Sequence, residues 1–326
     1  MIQFDRQHPQ HDMDLEPQHF RFRDRLGRPL RVGGIDYLNS RPLIETFDLV
    51  AGDEVELFNL PPSELARRLR SRELDVALVP VVEYLTAPEE VEYSIVPGLG
   101  ISSYGSVESI RLFHRRSLGS IERVALDRSS MTSVLLTRLL FAERPDARWS
   151  QTGTSDSIAY ETVDPEAGRA LLATPPRDDT PDAVLLIGDA ALEAGPETTD
   201  VWRVVDLGLE WTRWQGLPFV YAFWVFNGEP IVGVTECLHT VYRTGLASID
   251  RIVASGPLPA GMSAPAARRY LAQVLRFRLG EAEVRGIEEF SRRLVQAGLL
   301  SGITPRMLEF LDSAPHSPTV AAEGQA

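Results

Sequence analysis

From about residue 30 to about residue 311, short apolar runs alternate with stretches in which apolar residues recur every third or fourth position. Buried strands separated by covering helices produce that alternation, so the chain reads as an α/β protein. Arg31–Ile35, Glu54–Phe58, Val76–Val79, Ser94–Val96 and Ser109–Phe113 are predicted strands. Between the second and third, Pro62–Ser71 is a predicted helix, with Pro near its start and Leu65 and Leu69 four apart on one face. A second block opens near Ile121 with a strand at Val124–Leu126 and a helix over Thr132–Glu143. After the polar turn Asp178–Thr180 it continues with a strand at Ala183–Ile187 and a helix from Asp189. Trp202–Asp206 and Phe219–Val225 are predicted strands that return the chain toward the first block. The remainder to Leu311 is mainly helical, spaced by Leu271, Val274 and Leu275 and interrupted at Gly280. There is no internal repeat.

This order predicts four segments. Residues 1–28 form a flexible N-terminal extension, and 29–114 with 220–312 form a discontinuous first lobe. Residues 115–219 form a second lobe, and 313–326 a flexible tail. A chain that leaves one α/β block, builds another and returns leaves a cleft at the crossover. Ligands in such folds bind beyond the carboxyl ends of strands and between lobes, so the loops after strands are where chemistry is expected.

Composition narrows that chemistry. All 33 residues counted as Lys+Arg are Arg, which removes Schiff-base lysines and phosphate-loop lysines. The single Cys237 excludes a disulfide and a multi-cysteine zinc site. Of six histidines, His8, His11, His19 and His316 lie in the polar ends. Only His114 and His239 remain, neither with a metal-ligand neighbour at helical spacing. The net charge of −13 argues against nucleic acid or an anionic membrane surface as partner, but not against a small anion held by local donors. The longest apolar run, around Gly216–Phe226, is far shorter than the roughly 20 residues that span a bilayer. Met1–Arg28 has no apolar core of a secretion signal. The expectation is a cytoplasmic protein.

Several polar constellations follow predicted strands. In Asp36–Pro42, Asn39 offers a donor and an acceptor and Ser40 a hydroxyl, although a plain strand-to-helix turn explains the pattern equally well. In Asp127–Ser133, four hydroxyls crowd a helix N-terminus, more than capping requires, and suit a carboxylate or phosphate. Ser102–Ser109 places hydroxyls on both sides of Gly105, which permits a tight turn, though a hairpin loop would look the same. Asp189, after Leu186-Ile187-Gly188, is more readily a helix cap than a catalytic acid. The aromatic stretch Trp211–Phe219 reads as core or interface packing.

Six motifs in order carry a family resemblance: Tyr37–Pro42, Asp75–Leu85, Val107–Ser109, Thr132–Val134, Leu186–Leu192 and Asp206–Val220. Together they resemble the chorismate dehydratase family of the futalosine route to menaquinone, over about Arg31–Leu311. The resemblance implies a two-lobed fold of the type II periplasmic-binding-protein kind with an interlobe cleft, working without metal or cofactor. The implied reaction removes water from chorismate to give 3-(1-carboxyvinyloxy)benzoate. By motif, Asn39 and Ser109 would lie nearest the reacting ring, and Ser130, Thr132 and Ser133 would hold a carboxylate. Tyr37, Ser40, Gly105 and Asp189 complete the expected substrate-binding set. Arg41 and Met131 occupy variable positions of the pattern, and their roles stay open. The implied partner is a dianionic small molecule, with no nucleic acid and no membrane, and a homodimer is compatible with the sequence. With histidine scarce and lysine absent, the substrate's own enolpyruvyl carboxylate is the expected base. The rival reading is a non-catalytic small-anion solute-binding protein of the same fold.

Overall fold

The computed structural model describes residues 20–144, 148–149, 158–195 and 199–300. Two sheets organise it. The first is built from β1 (Leu30–Ile35), β2 (Val55–Leu60), β3 (Val76–Pro80), β4 (Tyr93–Ser103), β10 (Phe219–Asn227) and β11 (Arg276–Arg278). The second holds β5 (Ile110–His114), β6 (Arg123–Asp127), β7 (Ala159–Val163), β8 (Ala183–Ile187) and β9 (Arg203–Asp206). Their orders are β11-β4-β10-β3-β1-β2 and β7-β6-β8-β5-β9. Without β11 the two sheets are built alike. Parallel strands run second, first, third, and then one antiparallel strand separates the third from the last, β10 in one lobe and β5 in the other. The two-lobed α/β architecture is therefore what the chain adopts.

The central strands are buried on both faces, which is why they read as unbroken apolar runs. Every residue of β3, β5 and β8 is buried, and in β10 only the last is not. Where the structure departs from expectation, the reason is local. Ile110–His114 belongs to the second sheet, because its ladder runs to β8 and β9. The boundary expected after residue 114 therefore lies before Ile110. Strand β4 does not stop at Val96. Its ladder with β10 passes from Ile95 to Gly100 while the partner advances only from Val225 to Phe223. Pro97 and Gly98, the latter at φ 74°, bulge out instead of ending the strand. Strand β7 has half-exposed and exposed residues throughout and lies at a sheet edge, so its apolar signal is weak. The stretch around Trp211 is a helix, Leu207–Gln215, capped by the Asp206 carboxylate at the Leu209 N–H (3.0 Å) and ended by Gly216 at φ 67°.

The N-terminal extension also needs correction. Phe22–Leu26 is a helix, and the Phe22 ring is 1% exposed in the core of the first lobe. Apolar burial ties down this stretch of the segment expected to be loose. The tail expected over 313–326 and residues 1–19 lie outside the described residues.

One packing contact bears directly on the site. The helix Val234–Ala247 crosses the short helix Arg41–Ile44, and a Cβ on Gly245 would stand 2.0 Å from the Pro42 carbonyl oxygen. Backbone rests on backbone there, which fixes the turn that carries Asn39. Among the described residues no helix is long and apolar enough to cross a membrane.

Candidate functional site

A narrow cavity of about 50 Å³ lies between the lobes. Its walls come from the carboxyl ends of β1, β3, β4 and β8, from the turn after β6, from the start of β5 and from the first half of β10, close to the place an open α/β sheet offers a ligand. Ile35, Pro62, Pro80, Ile101, Ile110 and Ile187 form an apolar slot. Tyr37, Asn39, Ser130, Thr132, Ser133 and Tyr221 supply its polar groups. No acid, Arg or His among the described residues lines it. Among the described residues no group of three or more His, Cys, Asp or Glu is placed to hold a metal ion.

The Asn39 turn follows β1 directly. Ser40 shapes this turn and is not a ligand group. Its buried hydroxyl donates to the carbonyls of Ile35 and Tyr37, the latter at 2.9 Å, and it does not line the cavity. Those bonds leave Asn39 facing inward, where its Oδ1 is buried without a partner. Arg41 points away as well. It pairs with Glu45 and donates to the Ile252 carbonyl, tying the turn to the neighbouring helix.

Opposite, the helix Thr132–Glu143 begins with no side-chain cap. Its first N–H groups are left for something else to satisfy. Ser129 is committed to Asp127, through its N–H (2.9 Å) and its hydroxyl (2.6 Å). Thr132 is drawn into lobe contacts, donating to the Tyr221 carbonyl (3.2 Å) and accepting from the Val82 N–H (3.4 Å). Ser130 is different. Its hydroxyl is buried, lines the cavity and has no partner. A buried polar atom left unpaired costs on the order of 1–3 kcal/mol, a cost that a ligand would relieve. Met131 lines the cavity as an apolar group.

Ser109 starts the second lobe. It is fully buried, its carbonyl accepts from the Gly188 N–H (2.8 Å), and its hydroxyl is unpartnered. The next residue, Ile110, forms part of the wall. Gly105 is not at the cavity. It sits in the crossover at φ 99°, its N–H bonded to the Thr212 hydroxyl (2.9 Å), so its conformational freedom serves that turn.

Two bonds close the mouth. The Tyr37 hydroxyl donates to Ser129 Oγ at 3.0 Å, and Asp189 Oδ1 accepts the Leu38 N–H at 2.9 Å. Asp189 therefore faces the outer rim and does not line the cavity. Burial pushes its carboxyl up to about 6; the bond from Leu38 opposes the rise, and nearby Glu193 and Asp36 add to it. Gly188 has φ 57°, and a Cβ there would meet the Tyr37 ring at 2.7 Å. Only glycine lets that ring seat. Burial also raises Asp127 and Tyr37, and raises Tyr221 well above the usual phenol range.

The structure thus brings Tyr37, Asn39, Ser130, Thr132 and Ser133 to the cavity, with Ser109 beside its wall, and turns Ser40, Gly105 and Asp189 to structural work nearby. Tyr221 is a polar lining group that sequence reasoning missed. It is hidden in the run Phe219–Val225, and its hydroxyl lies 2.9 Å from that of Ser103. A Cβ on Gly208 would stand 2.5 Å from that hydroxyl, an approach that no motif signals.

Comparison with known proteins fits this geometry. A family model described as menaquinone biosynthesis matches residues 30–296. A chorismate dehydratase of Thermus thermophilus is 29% identical over 283 residues, covering 82% of this chain and 96% of that protein. Among solved structures, a structural-genomics protein from Archaeoglobus fulgidus superposes with a TM-score of 0.64 at 16% identity, over 83% of this chain and 98% of that one. The periplasmic aliphatic sulphonate binding protein of Escherichia coli gives 0.55 at 15% identity, over 86% and 95%. The fold is therefore that of periplasmic binding proteins.

Proposed function

The chain belongs to the menaquinone-biosynthesis family, and from that premise we propose that it is a chorismate dehydratase, a carbon–oxygen lyase working in the cytoplasm. One observation carries the reading: Asn39 Oδ1 and Ser130 Oγ are both buried and unpartnered in one cavity that, among the described residues, no charged side chain lines. The likeness to the Thermus thermophilus enzyme supports it.

A dianion fits such a site through neutral donors. One carboxylate takes the uncapped N–H groups of the helix Thr132–Glu143 together with the Ser130 and Ser133 hydroxyls. The flat apolar slot between Ile35, Ile101, Ile110 and Ile187 receives the ring. Dehydration then removes the proton from the ether-bearing ring carbon and expels hydroxide from the adjacent carbon, and the electron pair of the broken C–H bond completes the aromatic ring. The enolpyruvyl carboxylate of the substrate takes the proton, since the described lining residues include no acid or His to do so. The Asn39 carboxamide accepts from the ring hydroxyl before the reaction and donates to it as it leaves. Ser109 holds the ether side chain in the geometry for internal proton transfer. Because aromatisation drives the reaction, orientation and stabilisation of the departing charge suffice.

Incubation of the purified chain with chorismate, followed by mass, tests the reading. Loss of one water is expected, and unchanged chorismate would overturn it in favour of a binding protein. Asn39→Ala and Ser109→Ala should each lower kcat more than they raise KM.

A further inference from the structure

Ser109 follows one of only two non-glycine residues with positive φ among the described residues. Glu108 has φ 63°, a conformation that costs a side-chain-bearing residue free energy and persists only where its surroundings impose it. The surroundings here do so from three sides. The N–H groups of Val107 (3.1 Å) and Glu108 (2.7 Å) both donate to the Asp206 carboxylate, as does the Ser106 hydroxyl at 2.5 Å. The Ser109 N–H bonds back to the Val107 carbonyl at 2.8 Å. The Glu108 carboxylate is gripped by both terminal nitrogens of Arg269, at 2.8 and 2.6 Å.

Arg269 ends the helix Ala264–Arg269, and Tyr270 opens a single π-helical turn, Tyr270–Val274. Such turns are rare and concentrate where a side chain is re-aimed. Tyr270 is fully buried, Ser109 is the side chain that offsets part of the burial-driven rise of its phenol, and neither hydroxyl completes an aligned hydrogen bond among the described residues. Two consecutive residues of the C-terminal segment therefore address two consecutive residues of the crossover: Arg269 meets Glu108, and Tyr270 meets Ser109.

We propose that Arg269 and Tyr270 are positioning residues for Ser109: the forked Arg269–Glu108 pair locks the left-handed backbone that aims the Ser109 hydroxyl, and the Tyr270 hydroxyl donates to Ser109 Oγ when Ser109 donates to substrate. This rests on the dehydratase reading for its catalytic consequence, but the placement of Ser109 does not. The pair is half exposed on the arginine side, so its contribution to overall stability is small. Its effect is local. A hydroxyl that accepts one hydrogen bond becomes a better donor in the next, so the Tyr270–Ser109 contact acts with the substrate bound.

Two measurements on the full chain test the proposal. Crystal structures of wild type and Arg269→Ala should show the Ser109 hydroxyl displaced in the variant. An unmoved Ser109 would overturn the role of the pair whether or not chorismate is a substrate. Kinetically, Arg269→Ala and Tyr270→Phe should each lower kcat about fivefold to tenfold with KM changed less than twofold, on the scale of one lost hydrogen bond. In a Ser109→Ala background neither should lower kcat further, because the effect passes through Ser109. Additive losses in that background would overturn the proposal. Glu108→Gly, which accepts the left-handed backbone but cannot hold Arg269, should match Arg269→Ala, and a Glu108→Gly variant with wild-type kcat would remove the ion pair from the argument. Should wild type leave chorismate unchanged while Ser109 moves in Arg269→Ala, the dehydratase reading fails and the positioning role stands.

Discussion

Replacing Asp189 by Asn should stabilise the closed, ligand-free protein above pH 6 and do little at pH 4. In the closed molecule the carboxylate is half-buried at the rim and accepts the Leu38 N–H, yet its pKa is raised from 3.8 to about 6, chiefly by desolvation. A raised acid pKa means that the folded state holds the proton more tightly than the unfolded one. Well below pH 3.8 the group is protonated in both states and costs nothing. As pH rises from 3.8 toward 6 the unfolded state ionises first and stability falls, and above 6 the full penalty remains. About two pKa units correspond to an upper limit of about 3 kcal/mol. Asparagine carries no charge and keeps an amide oxygen for the Leu38 N–H. Thermal melting of wild type and Asp189→Asn from pH 4 to 8 measures the difference. The variant should melt several degrees higher at pH 7.5, and the gain should shrink toward zero at pH 4. An equal difference at both pH values would refute the reasoning, since an uncharged packing effect has no pH dependence.

Other consequences of the same geometry can be checked directly. Ser130→Ala removes an orphan buried hydroxyl, so it should leave ligand-free stability unchanged or slightly higher while raising KM for chorismate about tenfold, as expected for one lost hydrogen bond to a charged group. Gly245→Ala drives a methyl against the Pro42 carbonyl oxygen, 2.0 Å away. Denaturant titration should show a loss of about 1–3 kcal/mol, and turnover should fall because the Asn39 turn moves with Pro42. Phe22→Ala empties a fully packed site and should cost about 3–5 kcal/mol in the same titration. No change would return that segment to the status of a loose extension.

Much of the frame is legible in the sequence because its signals are local. Apolar runs such as Val76–Val79 and Ala183–Ile187 have the length and composition of strands buried on both faces, and they are such strands. The Asn39 turn and the hydroxyl-rich helix start after β6 stand out because short polar residues follow strands there, and both line the cavity. The failures have local causes too. Ser40 carries the same hydroxyl as Ser130, and only the path of the backbone sends one to the Ile35 carbonyl and the other to the cavity. Asp189 sits at the start of a helix, as a capping residue would, yet its partner is the Leu38 N–H, 151 residues away in the other lobe. Tyr221, Arg269 and Tyr270 lie in segments that read as strand core or as ordinary helix, with nothing nearby in sequence to mark them as polar contacts of the site.

The sequence alone determined the α/β class, the two-block order and the chemical poverty of the site: 33 arginines, no lysine and two histidines outside the polar ends. Residue type and spacing decide these things, and a linear string carries both. Tertiary structure decided to which lobe Ile110–His114 belongs, which hydroxyls remain unpaired, and which carboxylate closes the mouth instead of entering it. Each of those outcomes depends on hydrogen bonds between residues far apart in the chain. Whether a buried polar group faces a ligand or a backbone carbonyl is settled only when the lobes meet.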